Sequence, residues 1–149
     1  MNGQWVGFYK DTAEPSGGFL IINIDELSSY FHGFVYLFPK NNLLPPVAVI
    51  FRTLNKNKDF SFRTSAIFPI NPINGAIDSW DNIKLEDVHI SKFADVTGSW
   101  NNNILSMEWT TEHGVKGACR LPRSKADEPS KLKSLKKNWK KYKEYVLGL

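Results

Sequence analysis

Short runs of alternating character recur along this chain. Leu105, Met107 and Trp109 fall on one side of a period-two pattern, with Ser106, Glu108 and Thr110 on the other. Phe60, Phe62 and Ala66 oppose Ser61, Arg63 and Ser65 in the same way. Period two is the repeat of a β-strand, and a clean alternation predicts one buried face and one wet face. Residues 19–24, 31–38 and 47–51 are instead apolar at both parities. Strands of that kind need a second apolar neighbour outside the sheet, either the C-terminal segment or a second copy of the chain. The pattern predicts strands over roughly 4–10, 18–25, 30–38, 46–54, 59–68, 87–92, 95–101, 103–111 and 114–122.

Glycine is set among the aromatic and β-branched residues of several of these runs. Gly3-Gln4-Trp5-Val6-Gly7-Phe8-Tyr9 is the first, and Tyr30-Phe31-His32-Gly33-Phe34-Val35-Tyr36 repeats its texture. Shorter echoes lie at Gly98 and Gly117. Glycine inside a strand permits a bend or bulge, and a small closed barrel needs several of these. Turn signals at Pro15-Ser16-Gly17-Gly18, at residues 55–59, at Asn101-Asn102-Asn103 and at Glu112-His113-Gly114 join the strands closely and in order. The expected fold is mainly β: a small up-and-down antiparallel β-barrel of eight or nine strands over residues 1–124. Trp5 is expected to plug one end of it. Two longer connections, 39–46 and 69–87, are the expected functional surfaces, because binding residues gather on loops held by a rigid scaffold. In the second, residues 79–83 predict a helical turn that sets Trp80 over one end of the barrel.

Residues 125–149 have a different character. Glu128-Pro129-Ser130 is a helix start, and Leu132, Leu135, Trp139, Tyr142, Val146 and Leu149 then recur at spacings of three and four. This predicts a C-terminal amphipathic α-helix, with Gly148 placed to stop it. So short a helix is not stable alone, and its stripe must bury itself on the barrel, on a second copy or on a following domain. Leu132, Leu135, Trp139, Tyr142 and Val146 are therefore candidate partner-binding residues.

Charge follows the same division. The chain of 149 residues carries a formal net charge of +4. Eight lysines against three acids give residues 125–149 a charge of +5, and eleven basic against twelve acidic groups leave the rest at −1. Nucleic-acid binding, were it present, would rest on the tail lysines alone. No apolar stretch approaches the roughly 20 residues of a membrane span. No basic segment followed by an apolar run opens the chain, so no signal peptide is expected. With one cysteine, Cys119, an internal disulfide is excluded, and a cytoplasmic setting is expected.

Little in the sequence points to catalysis. His32, His89 and His113 lack metal-ligand spacing, so neither a metal nor a cofactor is expected. Cys119 alternates with Val115, Gly117 and Leu121 and reads as a core thiol. No nucleophile elbow, phosphate-binding glycine loop or working carboxylate pair is present, and no enzymatic activity is expected. Arg52 shares a parity with Ala48, Ile50 and Leu54. If that face is interior, Arg52 seeks an anion such as Asp25 or a ligand; otherwise its guanidinium reaches out to solvent. Arg52, Trp109, Tyr36 and Trp80 are the candidate ligand contacts.

Gly3-x-Trp5 resembles the opening of calycin barrels of lipocalin and avidin type. A fuller resemblance, over about residues 3–124, is to the N-terminal β-barrel region of bacterial FRG-domain proteins. It rests on the Trp5-x-Gly7-x-Tyr9 start, on Asn23-Ile24-Asp25, and on the late Trp109-Thr110-Thr111 with Gly114 and Gly117. Trp139 to Val146 is similar to the helix that begins an FRG domain, but the Phe-Arg-Gly motif itself is absent from this chain. The resemblance implies a sensing or partner-binding barrel, with any enzymatic activity belonging to a downstream domain. The reading that results is a non-catalytic binding module for a small ligand, a protein partner or an adjacent domain. The alternatives are an assembly element that dimerises through the C-terminal helix, or a weak nucleic-acid binder through its lysines.

Overall fold

Gly33 and Phe51 sit directly opposite each other on neighbouring strands, and the Phe51 ring lies flat over the space where Gly33 has no side chain. The same pairing recurs for Tyr9 over Gly18, Phe60 over Gly98 and Trp109 over Gly117, each a register pair. Large rings thus fit on the concave side of a tightly curled sheet because the residue across the ladder is glycine.

The sheet is seen in a computed structural model that describes residues 1–12, 17–40, 45–71, 76–82 and 91–123. Among these residues there are nine strands: β1 (Gly3–Asp11), β2 (Gly18–Leu27), β3 (Tyr30–Pro39), β4 (Val47–Leu54), β5 (Asp59–Arg63), β6 (Ala66–Pro69), β7 (Ala94–Trp100), β8 (Ile104–Thr111) and β9 (Lys116–Pro122). All pairings are antiparallel, in the spatial order β5-β7-β8-β9-β1-β2-β3-β4-β6. Two meanders, β1 to β4 and β7 to β9, are joined where Tyr9, Lys10 and Asp11 pair with Cys119, Ala118 and Gly117. Sequence neighbours pair within each meander, and β9 returns to the first strand, as the expected up-and-down order requires.

The predicted strand 59–68 is two strands. β5 pairs with β7 at one edge of the sheet and β6 pairs with β4 at the other. Between them the Thr64 N–H donates to the Ala94 carbonyl at 3.0 Å, and the Ser65 N–H donates to the Ile50 carbonyl at 2.7 Å. The two edges of the sheet thus meet at a two-residue corner, and the sheet curls into a barrel-like form. Turning that corner shifts the alternation by one residue. Phe60, Phe62 and Thr64 face inward before it; Ile67 does so after it, so Ala66 faces outward and not with Phe60 and Phe62 as its parity implied. The predicted strand 87–92 falls largely outside the described residues, and Ser91 and Lys92 are not in a strand. The predicted C-terminal helix and its stripe lie wholly outside them.

Two apolar clusters flank the wall. The interior holds Trp5, Leu20, Ile22, Ile24, Phe31, Leu105 and Leu121, all essentially inaccessible. A second cluster of Ile21, Tyr36, Phe38, Ala48 and Ile70 lies on the outer face of β2–β4. At one end of the barrel the connections are tight, and Ser28 takes a left-handed conformation (φ 58°) in the β2–β3 turn. The N-terminus packs over this end. The Trp5 indole N–H donates to the Met1 carbonyl at 3.0 Å. The Arg123 guanidinium lies 4.3 Å over the Trp5 ring and donates to the Asn2 and Asn102 carbonyls.

A methyl group added at Gly33 would lie 2.0 Å from the Phe51 ring, which is itself stacked on Phe62 at 4.5 Å, so the stacked pair must shift to admit it. Gly33→Ala should therefore cost about 1–3 kcal/mol, the usual penalty of overpacking. Urea unfolding should show a lowered midpoint at unchanged slope.

Candidate functional site

The opposite end of the barrel is hollow. A cavity of about 260 Å³ opens there, and its walls are the inward-facing residues of the strands, among them Leu20, Val35, Leu37, Val49, Phe62 and Met107. Alternation explains this lining. Every second residue of each strand points inward, and at this end the inward positions hold aliphatic groups, or rings such as Phe51 and Trp109 laid along the wall over glycine, that do not meet across the bore. At the other end Trp5, Phe31 and Trp100 fill the same cross-section, with Phe31 and Trp100 edge to face at 5.9 Å.

Two tryptophans shape the open end. Trp80 lies in a single 3₁₀ turn, Trp80–Asn82, and its indole N–H donates to the Ile67 carbonyl at 2.9 Å. That bond holds its ring as part of the cavity wall. Trp109 on β8 lies across Gly117, where a methyl group would come within 2.2 Å of the indole, and it packs against Tyr9 at 5.7 Å. Pro39 and Pro45 line the cavity together with Trp80, so both of the long connections singled out in the sequence converge on this mouth. Residues 41–44, 72–75 and 83–87 of those connections fall outside the described residues, as does His89.

Three polar side chains of the lining are committed to the backbone. The Asp11 carboxylate accepts from the Gly17 N–H at 2.9 Å, the Thr64 hydroxyl from the Ala94 N–H at 2.9 Å and the Thr111 hydroxyl from the Val115 N–H at 3.1 Å. Each ties down a strand end at the rim. Burial, reinforced by the nearby Asp11 carboxylate, raises the Tyr9 phenol far above its ordinary value, so Tyr9 stays neutral. What remains facing the space is almost entirely hydrocarbon, an arrangement suited to holding an apolar molecule by exclusion from water.

Of the four candidate ligand contacts, the structure brings Trp80 and Trp109 together at this cavity. Arg52 and Tyr36 stand on the outer face, each one residue along its strand from an interior residue, Phe51 and Val35. The parity assigned to Arg52 holds, but that parity faces outward. Its guanidinium lies 3.8 Å over the Tyr30 ring, and β3 separates it from Asp25. Tyr36 is buried in the outer cluster. Missed in the sequence were the aliphatic wall residues, which carry no signal beyond strand alternation. Among the described residues no group of His, Cys, Asp and Glu is placed to hold a metal ion. Nor is any helix among them long and apolar enough to cross a membrane. No protein-family model, curated protein or solved structure matches this chain.

Cys119 is buried beside this cavity, and burial pushes its thiol up to about 12. At pH 8 it should react with Ellman's reagent on the order of a thousandfold more slowly in the native protein than in urea. The sign for stability follows from the same shift. The folded state keeps the proton to about 12 while the unfolded thiol loses it near 9, so this contribution is complete below 9 and declines as pH rises through that window. An equally fast native reaction would place the thiol at the surface.

Proposed function

We propose that this chain is a non-catalytic binding module that takes a small apolar molecule into the open end of its barrel. The observation that supports it best is the cavity: about 260 Å³, hydrocarbon-lined, closed at its far end and ringed by the longest connections. An apolar protein cavity of about 150 Å³ is enough to admit benzene. A two-ring or similarly sized alkyl ligand therefore suits this one. Small barrels with one filled and one open end hold single small ligands in this way. The calycin resemblance at Gly3-x-Trp5 favours the same reading, and Trp5 serves in it as floor and not as contact. The FRG-associated resemblance adds that ligand occupancy would be passed to a neighbouring domain. A lone buried thiol suits the reducing interior of a cell.

The neutral two-ring fluorophore 1-naphthylamine tests this. It should bind the full chain saturably, one per chain, with energy transfer from the cavity tryptophans Trp80 and Trp109. Leu37→Phe and Val49→Phe, which extend rings into the space, should each weaken binding about tenfold or more, equivalent to about 1.4 kcal/mol. Phe8→Ser on the outer wall should leave it unchanged. Circular dichroism separates blocked from unfolded, and the half-buried Leu37 tolerates the change most readily. Folded variants of both kinds that bind as well as the parent would overturn the reading.

A further inference from the structure

The outer wall is unlike in its two halves. Outward positions on β5, β7, β8 and β9 are polar: Ser61, Arg63, Asp95, Thr97, Glu108 and Arg120. Outward positions on β1–β3 include, beside the polar Gln4, Lys10, Asn23 and His32, the apolar or aromatic Val6, Phe8, Phe19, Ile21, Phe34, Tyr36 and Phe38. Their rings form a continuous strip, with Phe8 against Phe19 at 5.4 Å, Phe19 against Phe38 at 6.4 Å and Phe34 against Tyr36 at 4.9 Å. Phe8 is 68% exposed, and Val6, Phe19 and Phe34 are only part-buried. An aromatic strip on one side of an otherwise polar wall marks an interaction surface.

We propose that residues 132–149 of the same chain, as an amphipathic helix, cover this strip. Four observations favour this occupant. β9 is bonded to β1, and Arg123 bridges to Trp5, so the chain continues from beside the apolar half of the wall. The eight residues 124–131, at up to about 3.4 Å each, are enough chain to reach across the neighbouring strands. The helix needs a partner for its apolar stripe and the strip needs a cover. Charge agrees: the segment carries +5 against −1 for the rest of the chain, and Asp25 stands at the margin of the strip. This surface lies on the opposite side of the wall from the cavity, and the proposal stands apart from the ligand reading.

Disulfide trapping in the full chain tests it. Phe8→Cys would be paired with Tyr142→Cys and, for the opposite helix direction, with Leu135→Cys. The controls carry Thr97→Cys on the polar half with the same partners. Buried Cys119 stays silent, and its continued protection reports that the fold is kept. In dilute protein under mild oxidation, at least one Phe8→Cys pair should close within the chain about tenfold faster than its Thr97→Cys control. Equal rates on the two halves would overturn the proposal. So would covalent dimers in place of the intramolecular bond, since a second copy would then be the cover.

Discussion

An aromatic ring resting on a glycine across the ladder is the contact on which the rest of this molecule depends. Curling a sheet of nine short strands leaves little cross-section, and inward-facing rings on adjacent strands compete for it. At Tyr9 over Gly18, Phe51 over Gly33, Phe60 over Gly98 and Trp109 over Gly117 the competition is removed, because one of each pair has no side chain. Each ring then lies along the wall, buries its face against backbone, and leaves the bore to others. A side chain at any of these glycines would force the ring toward the axis, where the core or the cavity now lies.

The second constraint is the corner at Thr64 and Ser65. A sheet with free edges exposes unpaired amides and carbonyls. Here one chain segment serves both edges, pairing with β7 before the corner and with β4 after it. The two corner amides split their bonds between the two sides, and the Thr64 hydroxyl accepts a third bond from Ala94. The Phe51–Phe62 stack packs across the same seam. Because this seam opens onto the mouth, the residues that close the sheet also form part of the cavity wall.

Alternation made most of the strands legible, and the glycine–aromatic texture made the curl legible. The helical turn at Trp80 was also readable, since a tryptophan between polar residues after a proline-rich stretch needs a surface to cover. Three features were not readable, each for a physical reason. The corner changes which parity faces inward, and nothing in Thr64-Ser65-Ala66 announces a one-residue shift, so Ala66 was placed on the wrong side. Arg52 and Tyr36 sit in strands that are apolar on both faces, where composition gives no inside or outside; only the register with β3 decides it. The cavity is a difference between the bore and what fills it, and both ends draw on the same residue types. Trp5, Phe31 and Trp100 fill one end, while Leu37, Val49 and Val96 leave the other open.

That division of filled from hollow accounts for the division of the loops. Where the bore is packed, the strands can be joined by tight turns, because the end needs no further cover. Where it is hollow, strand ends are tied individually by Asp11, Thr64 and Thr111, and the longer connections carry prolines and Trp80 to the rim. Rigidity is thus supplied by side-chain bonds to the backbone, which leaves the interior side chains free of polar obligations. An end built in this manner can hold its shape without filling itself. The stiff floor of Trp5, clamped by Met1 and Arg123, fixes the depth to which anything entering from the mouth can descend.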